Sequence, residues 1–290
     1  MQGQAPTLPL TVLGGYLGAG KTTLVNHLLR NAGGRRLAVL VNDFGALSID
    51  ETLIESREGN LLSIAGGCVC CSFGSDFMAG LMQMAALDPA PDHLLVETSG
   101  VALPGAVARS AALLQAIRVD AVVVLVDAET VRARAADRYL GDTVTRQLAE
   151  ADLVLVNKVD LVDAAARPAL KDWLAARAPR AGLLECERGR VAADVLLGLQ
   201  RGAARATGAL SGGAMRAPED AAARYASAHF ELDGRVDAQA LAARLAAPAL
   251  GLLRAKGIVR DADGRLVVLQ LVGARVALDA APVGARPGPL

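Results

Sequence analysis

Gly15-Tyr16-Leu17-Gly18-Ala19-Gly20-Lys21-Thr22 decides how this chain folds. Glycines at the first and sixth positions, then lysine and threonine, make the phosphate-loop pattern. Its surroundings fit: the apolar run Leu10-Leu13 precedes it as a strand, and Lys21-Asn31 follows as a helix. Glycines let backbone N–H groups turn inward around phosphates, and the helix amino end adds a partial positive charge. Gly15, Gly18, Ala19 and Gly20 would form the cradle. Lys21 would reach the β and γ phosphates, the Thr22 hydroxyl would ligate Mg²⁺, and Thr23 would touch the α phosphate.

Outward from this loop, short apolar runs alternate with helix-length segments. Leu37-Val41, Leu94-Glu97, Ala121-Val126, Leu153-Val156 and Leu183-Leu184 read as further strands. They lack in/out alternation, which predicts a parallel sheet covered on both faces. Asp76-Leu87, Pro104-Ile117, Thr143-Glu150 and Ala164-Ala178 read as the covering helices. The expected fold class is α/β: a doubly wound, mostly parallel phosphate-loop sheet with a second, small α+β domain. The expected organisation is a nucleotide-binding domain over 1–205, a glycine-rich linker over 206–225 and the small domain over 226–290. In the last, His229-Leu232 reads as a strand and Asp237-Leu245 as a helix capped by Asp237. Gly257-Val259 and Leu266-Leu271 flank a turn at Asp261-Gly264, a hairpin signal.

Two more motifs fall at strand ends. Asn157-Lys158-Val159-Asp160 follows Leu153-Val156. A carboxylate there accepts hydrogen bonds from the guanine ring N–H and exocyclic amine, and adenine offers no such donors. Asp160 would take that role, Asn157 would hold the loop, and the Lys158 stem would lie over the ring. Glu97-Thr98-Ser99-Gly100 ends another strand. Glu97 there could hold the Mg²⁺ shell, and Gly100 could donate its N–H to a γ phosphate.

A separate chemistry sits in Gly66-Gly67-Cys68-Val69-Cys70-Cys71. Cysteines one and three of an extended segment point the same way, and Cys71 joins if the backbone turns. Three thiolates suit Zn²⁺, Cu(I) or Co²⁺ in a tetrahedral field. No fourth Cys or His stands nearby. The missing ligand would come from a distant segment, water, a partner or a second copy of the chain in a homodimer. An open shell suits transfer, whereas structural zinc sites are closed. Asp43, in Asn42-Asp43-Phe44-Gly45, and Asp50 are candidates for Mg²⁺ contact or the missing ligand. His27 and His93 read as structural, and Cys186 as packing near the base pocket.

Composition narrows the partners. Basic and acidic side chains balance at 30 each, so no global field draws the chain to nucleic acid or an acidic membrane. Aromatics are 3%, too few for base-stacking platforms. No apolar run is long enough to span a bilayer, and no secretory signal precedes the first strand. Clustered cysteines without a disulfide framework fit a reducing cytoplasm.

These residues together resemble the CobW-type GTPases, a family of metallochaperones. The resemblance is carried by Gly15-Thr22, Asn42-Gly45, Gly66-Cys71, Glu97-Gly100 and Asn157-Asp160. Gln147 with Ala151-Asp152 also fits, as does Leu253-Gly257 in the second domain. It implies GTP hydrolysis coupled to delivery of zinc or cobalt to a client metalloprotein or a cobalamin-pathway enzyme. In that reading Lys21, Thr22, Glu97 and Asp43 serve catalysis, with GTP/GDP and Mg²⁺ bound. Cys68, Cys70, Cys71, Asp43, Asp50 and Thr22 are the candidate metal ligands. Many members carry Glu where Asp43 stands, and many carry a His-rich stretch, whereas this chain has three histidines. Alternatives are a phosphate-loop NTPase with a purely structural zinc, a nickel-delivery GTPase, and a GTP-gated regulatory binding protein.

Overall fold

The computed structural model describes residues 7–41, 61–63, 75–197, 232, 234–252 and 254–281. Cys68, Cys70, Cys71, Asp43, Asp50 and the 206–225 segment lie outside the described residues. So does the strand expected over His229-Leu232, apart from Leu232.

Among the described residues, seven parallel strands form the main sheet: β1 Leu8–Gly14, β2 Leu37–Val41, β3 Leu61–Ser63, β4 His93–Glu97, β5 Ile117–Asp127, β6 Leu153–Asn157 and β7 Gly182–Glu185. Their order is β3-β2-β4-β1-β5-β6-β7. The strand carrying the phosphate loop therefore lies between β4 and β5, with its carboxyl end in the crevice where open α/β sheets take ligands.

The apolar runs do not alternate because both faces of each strand are covered. Leu10, Val12, Val122, Val124 and Val154 face one layer, while Leu13, Ala121, Val123, Leu153 and Leu155 face the other. The first layer is built by α2 Ser75–Ala85, α3 Pro104–Ala111, α5 Gly141–Ala149 and α6 Arg167–Arg177. The second is built by α1 Lys21–Arg30 and α7 Ala193–Leu197. A short helix α4, Val131–Ala136, follows β5. On α1, Leu24, Val25 and Leu28 are fully buried, a one-sided stripe set by the 3.6-residue period. Each such side chain is worth about 1.5–3 kcal/mol. His27 and His93 serve packing: His27 Nε2 bonds Val191 O at 3.0 Å, and His93 Nε2 bonds Thr11 Oγ1 at 2.9 Å. Among the described residues no helix is long and apolar enough to cross a membrane.

A second sheet is antiparallel, with strands β8 Arg254–Arg260, β9 Leu266–Val272 and β10 Arg275–Ala280 and order β10-β9-β8. Helix α8, Ala238–Leu245, packs on it, capped by Asp237, whose side chain accepts from Ala240 N. The sheet is fastened to the main domain by its β9–β10 turn. Val272 is buried in the main core, and Ala274 N donates to Arg180 O at 2.9 Å. Arg275 Nε donates to Asp152 Oδ2 at 2.8 Å, and Arg118 donates to Gln270 Oε1 at 2.8 Å.

Gly273 allows this approach. Its φ is +56°, and a Cβ there would stand 2.1 Å from Asp152 O. Gly273→Ala is therefore expected to cost about 2 kcal/mol or more, from left-handed strain plus separation of the turn from Asp152 and Arg180. Denaturant unfolding checks it; a loss under about 0.5 kcal/mol would mean that the turn is not held there.

Candidate nucleotide site

The phosphate loop is shaped by its own backbone and by two neighbouring strands. Ala19 N donates to Tyr16 O at 3.1 Å, closing the turn. Gly20 caps α1 with φ +104°, a conformation that side chains resist, and a Cβ there would meet Asn157 Nδ2 at 2.5 Å. The amino end of α1 thus begins at a glycine that brings no side chain to it. Lys21 is buried, and its Nζ donates to Gly15 O at 3.0 Å, across the mouth of the loop.

Glu97 ends β4 and is 3% exposed. Its Oε1 accepts from Thr22 Oγ1 at 3.2 Å. A hydroxyl and a carboxylate at this separation, beside a buried lysine, are hard oxygen donors of the kind Mg²⁺ takes. The residues present therefore fit that ion. Beyond Glu97, Thr98 N and Oγ1 both bond Leu13 O, at 2.9 and 3.2 Å, tying the loop to β1. Ser99 Oγ is buried with no hydrogen-bond partner among the described residues, a polar atom suited to an incoming oxygen.

Gly100 stands directly on the phosphate loop. A Cβ at Gly100 would lie 2.7 Å from Leu17 N and 2.6 Å from Leu17 Cδ2. The side chain could rotate away, but the backbone nitrogen belongs to the cradle. Gly100→Ala is expected to shift one loop against the other and slow nucleotide turnover about 100-fold, the scale of a 1 Å misplacement. Steady-state hydrolysis checks it, and turnover within threefold of wild type would mean that the contact is idle.

The loop that follows β6 is locked to the phosphate loop. Asn157 is 2% exposed and uses both ends of its amide: Nδ2 donates to Ala19 O at 2.9 Å, and Oδ1 accepts from Gly189 N at 2.9 Å. Cys186 Sγ lies 3.5 Å from the same Oδ1, so this cysteine packs against the loop. Lys158 takes φ +62°, which turns the chain so that Val159–Leu161 forms a one-turn 3₁₀ helix with Asp160 exposed at the rim. Thr23 lies on the first turn of α1 and is exposed.

Two residues that the motifs do not name join this group. Asp127 ends β5, in register with Asn157, and its Oδ2 accepts from Lys158 Nζ at 2.7 Å. Burial alone would raise its pKa, but the bonds from Lys158, Glu129 N and Thr130 N outweigh that and hold it below the usual carboxylate range. The signal in the sequence is its place at the end of the apolar run Ala121-Val126. The other is Gln147, 1% exposed on α5, whose Nε2 donates to Gly100 O at 3.1 Å and Ala102 O at 2.8 Å.

The structure thus brings Lys21, Thr22, Glu97, Gly100 and Asn157 to one edge of the sheet, with Lys158 and Asp160 at its rim. Among the described residues no group of three His, Cys, Asp or Glu could hold a metal ion, and the thiolate segment lies outside them.

Comparison with known proteins follows the same division. The profile of the CobW/HypB/UreG nucleotide-binding domain matches residues 9–185, and that of the cobalamin synthesis protein cobW C-terminal domain matches 225–288. A protein named zinc chaperone CobW from a Sinorhizobium species is 34% identical over 221 residues, 66% of this chain and 62% of that protein. One of the same name from Pseudomonas aeruginosa is 37% identical over 224 residues, 66% of this chain and 60% of that protein. This chain thus spans about 60% of the length of these curated relatives. Among solved structures, a zinc-bound triple mutant of the YjiA GTPase aligns with 98% of this chain and 92% of its own, at 21% identity and a TM-score of 0.51. That likeness concerns the fold.

Proposed function

The chain belongs to the CobW/HypB/UreG family, and on that premise we propose that it is a GTP-hydrolysing metallochaperone. The observation that carries the nucleotide half is the bond from Asn157 Nδ2 to Ala19 O, which fixes a guanine-type loop to a phosphate loop. One rigid unit then presents Asp160 to the base and Lys21 to the phosphates. Asp160 accepts from the guanine edge, while Lys158, anchored at Asp127, lays its stem along the ring. Gly15, Gly18, Ala19 and Gly20 line the phosphates, with Thr23 near the first of them. Lys21 leaves Gly15 O to meet the β and γ oxygens. Thr22 and Glu97 would hold Mg²⁺, which supplies charge to stabilise the γ-phosphoryl group in flight. Water adds to the γ phosphorus as its bond to the β-bridging oxygen breaks, giving GDP and phosphate.

The cargo half of the proposal rests on Cys68, Cys70 and Cys71, with Asp43 and Asp50 as oxygen candidates. Support comes from the three thiolates within four positions and from relatives named as zinc chaperones. Zinc is the favoured cargo, with cobalt second, because both accept tetrahedral thiolates. GTP strengthens the hold of the thiolates on metal, and hydrolysis weakens it, so that metal passes to a client metalloprotein in the cytoplasm. A homodimer sharing the metal would supply the fourth ligand.

Turnover of GTP against ATP, with full-length protein and Mg²⁺, tests the first half. At least 100-fold preference for GTP is expected from two base contacts that adenine cannot make. Comparable turnover of both would remove the guanine assignment.

A further inference from the structure

Gln147, Glu150 and Asp152 stand within six positions, at the end of α5 and just beyond it, yet none takes part in the nucleotide contacts proposed above. Each holds a different piece of the molecule. Gln147 spends both amide hydrogens on the loop after β4, bonding Gly100 O and Ala102 O. Glu150 Oε2 accepts from Gly105 N at 3.0 Å, in the first turn of α3, so the same helix end also grips the far side of that loop. Asp152 Oδ2 accepts from Val122 N at 2.8 Å and from Arg275 Nε at 2.8 Å, reaching the second sheet. Its carbonyl oxygen is the atom against which Gly273 packs.

We propose that Gln147 is the positioning residue of the loop that senses the γ phosphate, and that its helix end carries the state of that loop to the β9–β10 turn. The inference rests on the GTP reading given above and adds the residues through which the second domain would feel it.

The geometry favours transmission over absorption. A nine-residue helix moves nearly as a body, and Leu148, fully buried between Gln147 and Asp152, gives it a pivot in the core. Drawing the Gly100 peptide toward a phosphate pulls on Gln147. Movement of this helix end then carries Glu150 and Ala151, whose N donates to Leu148 O at 3.2 Å, and bears on Asp152, whose backbone is bonded to Val122 O and Gly182 N. A cleft of about 340 Å³ lies at this junction, lined by Gly105, Arg109, Glu150, Asp152, Arg180 and Arg275. It leaves room for these side chains to shift without overpacking. The fastening at the far end is polar and specific, so a small displacement of Asp152 changes the Arg275 bond directly.

The test uses the full chain as wild type, Gln147→Leu and Arg275→Ala. Each is titrated with fluorescent GDP and with a nonhydrolysable GTP analogue. Hydrogen exchange is followed at Gly273 and Ala274 in both states. Gln147→Leu is expected to bind the GTP analogue about tenfold more weakly, the scale of an orphaned buried carbonyl, with GDP affinity within about twofold. The wild-type turn is expected to exchange at different rates with GDP and with the analogue. That difference should vanish in both variants. Should Gln147→Leu fold poorly, Gln147→Glu keeps the shape, sets an acceptor against two carbonyls and is expected to show the same selective loss.

Equal weakening of both nucleotides would make Gln147 a packing residue and overturn the proposal. Identical exchange at the wild-type turn in the two states would also overturn it. Failure of the wild type to bind either nucleotide is a different result: it removes the GTP reading itself, and the inference with it.

Discussion

Asp160→Ala is expected to weaken GTP binding about a thousandfold while leaving the fold intact. The side chain is exposed at the rim of the crevice, on the short turn that follows Lys158. Exposed substitutions away from packing usually change stability by no more than about 0.5 kcal/mol. Binding is another matter. In the proposed site the carboxylate would take two charge-assisted hydrogen bonds from guanine, each worth about 1.5–3 kcal/mol, so losing both would cost roughly two to four orders of magnitude. ATP gains nothing from Asp160, so the preference for GTP over ATP should fall by the same factor. Competitive titration of both nucleotides, with a denaturation curve beside it, checks this. GTP affinity within about threefold of wild type would show that the base is read elsewhere.

The second large effect is on turnover. Lys21→Ala is expected to lower kcat about 100- to 1,000-fold, the usual loss when a preorganised cationic or hydrogen-bonding group is taken from a developing charge. In the proposed site the loss comes from the ammonium no longer meeting the β and γ oxygens, since the bond from Lys21 Nζ to Gly15 O belongs to the nucleotide-free form. The helix amino end and the backbone cradle remain, so GDP binding should suffer less than turnover. Rates at saturating GTP separate these effects. A kcat within tenfold of wild type would place the charge stabilisation on another residue.

Much of the architecture was legible because the strands are buried on both faces. Six apolar runs predicted strands, and all six lie in the parallel sheet. Where polar residues break the run, the prediction fell short. Leu114, Ala116 and Ile117 extend the apolar look of Pro104-Ile117, but the helix stops at Ala111 and β5 begins at Ile117. Arg118 and Asp120 disguise the start of that strand because they pair with each other, and Arg118 also donates to Gln270 of the second sheet. Interdomain contacts of this kind leave no local periodicity. The third strand of the second sheet, Arg275–Ala280, was missed for a related reason: its alternation is shallow, and its role is set by Asp152 more than a hundred positions away.

The site was legible to different depths. Gly15 to Thr22 and Asn157 to Asp160 are local motifs whose geometry follows from turn chemistry, and the structure brings them together. Asp127 was legible only as an acid at a strand end, because it gains its partner, Lys158, only when β5 and β6 pair in register. Gln147 could be flagged by family likeness alone, since nothing in its own helix shows that its amide reaches the loop after Glu97.

The proposed coupling of nucleotide state to the grip on metal is tested by the Zn²⁺ affinity of the full chain, measured with a metal-competing dye in the presence of a nonhydrolysable GTP analogue and again with GDP. Tighter binding with the analogue, by about tenfold or more, is predicted, corresponding to roughly 1.4 kcal/mol of coupling between the two sites. Equal affinity in the two states would mean that nucleotide state does not set the grip on metal.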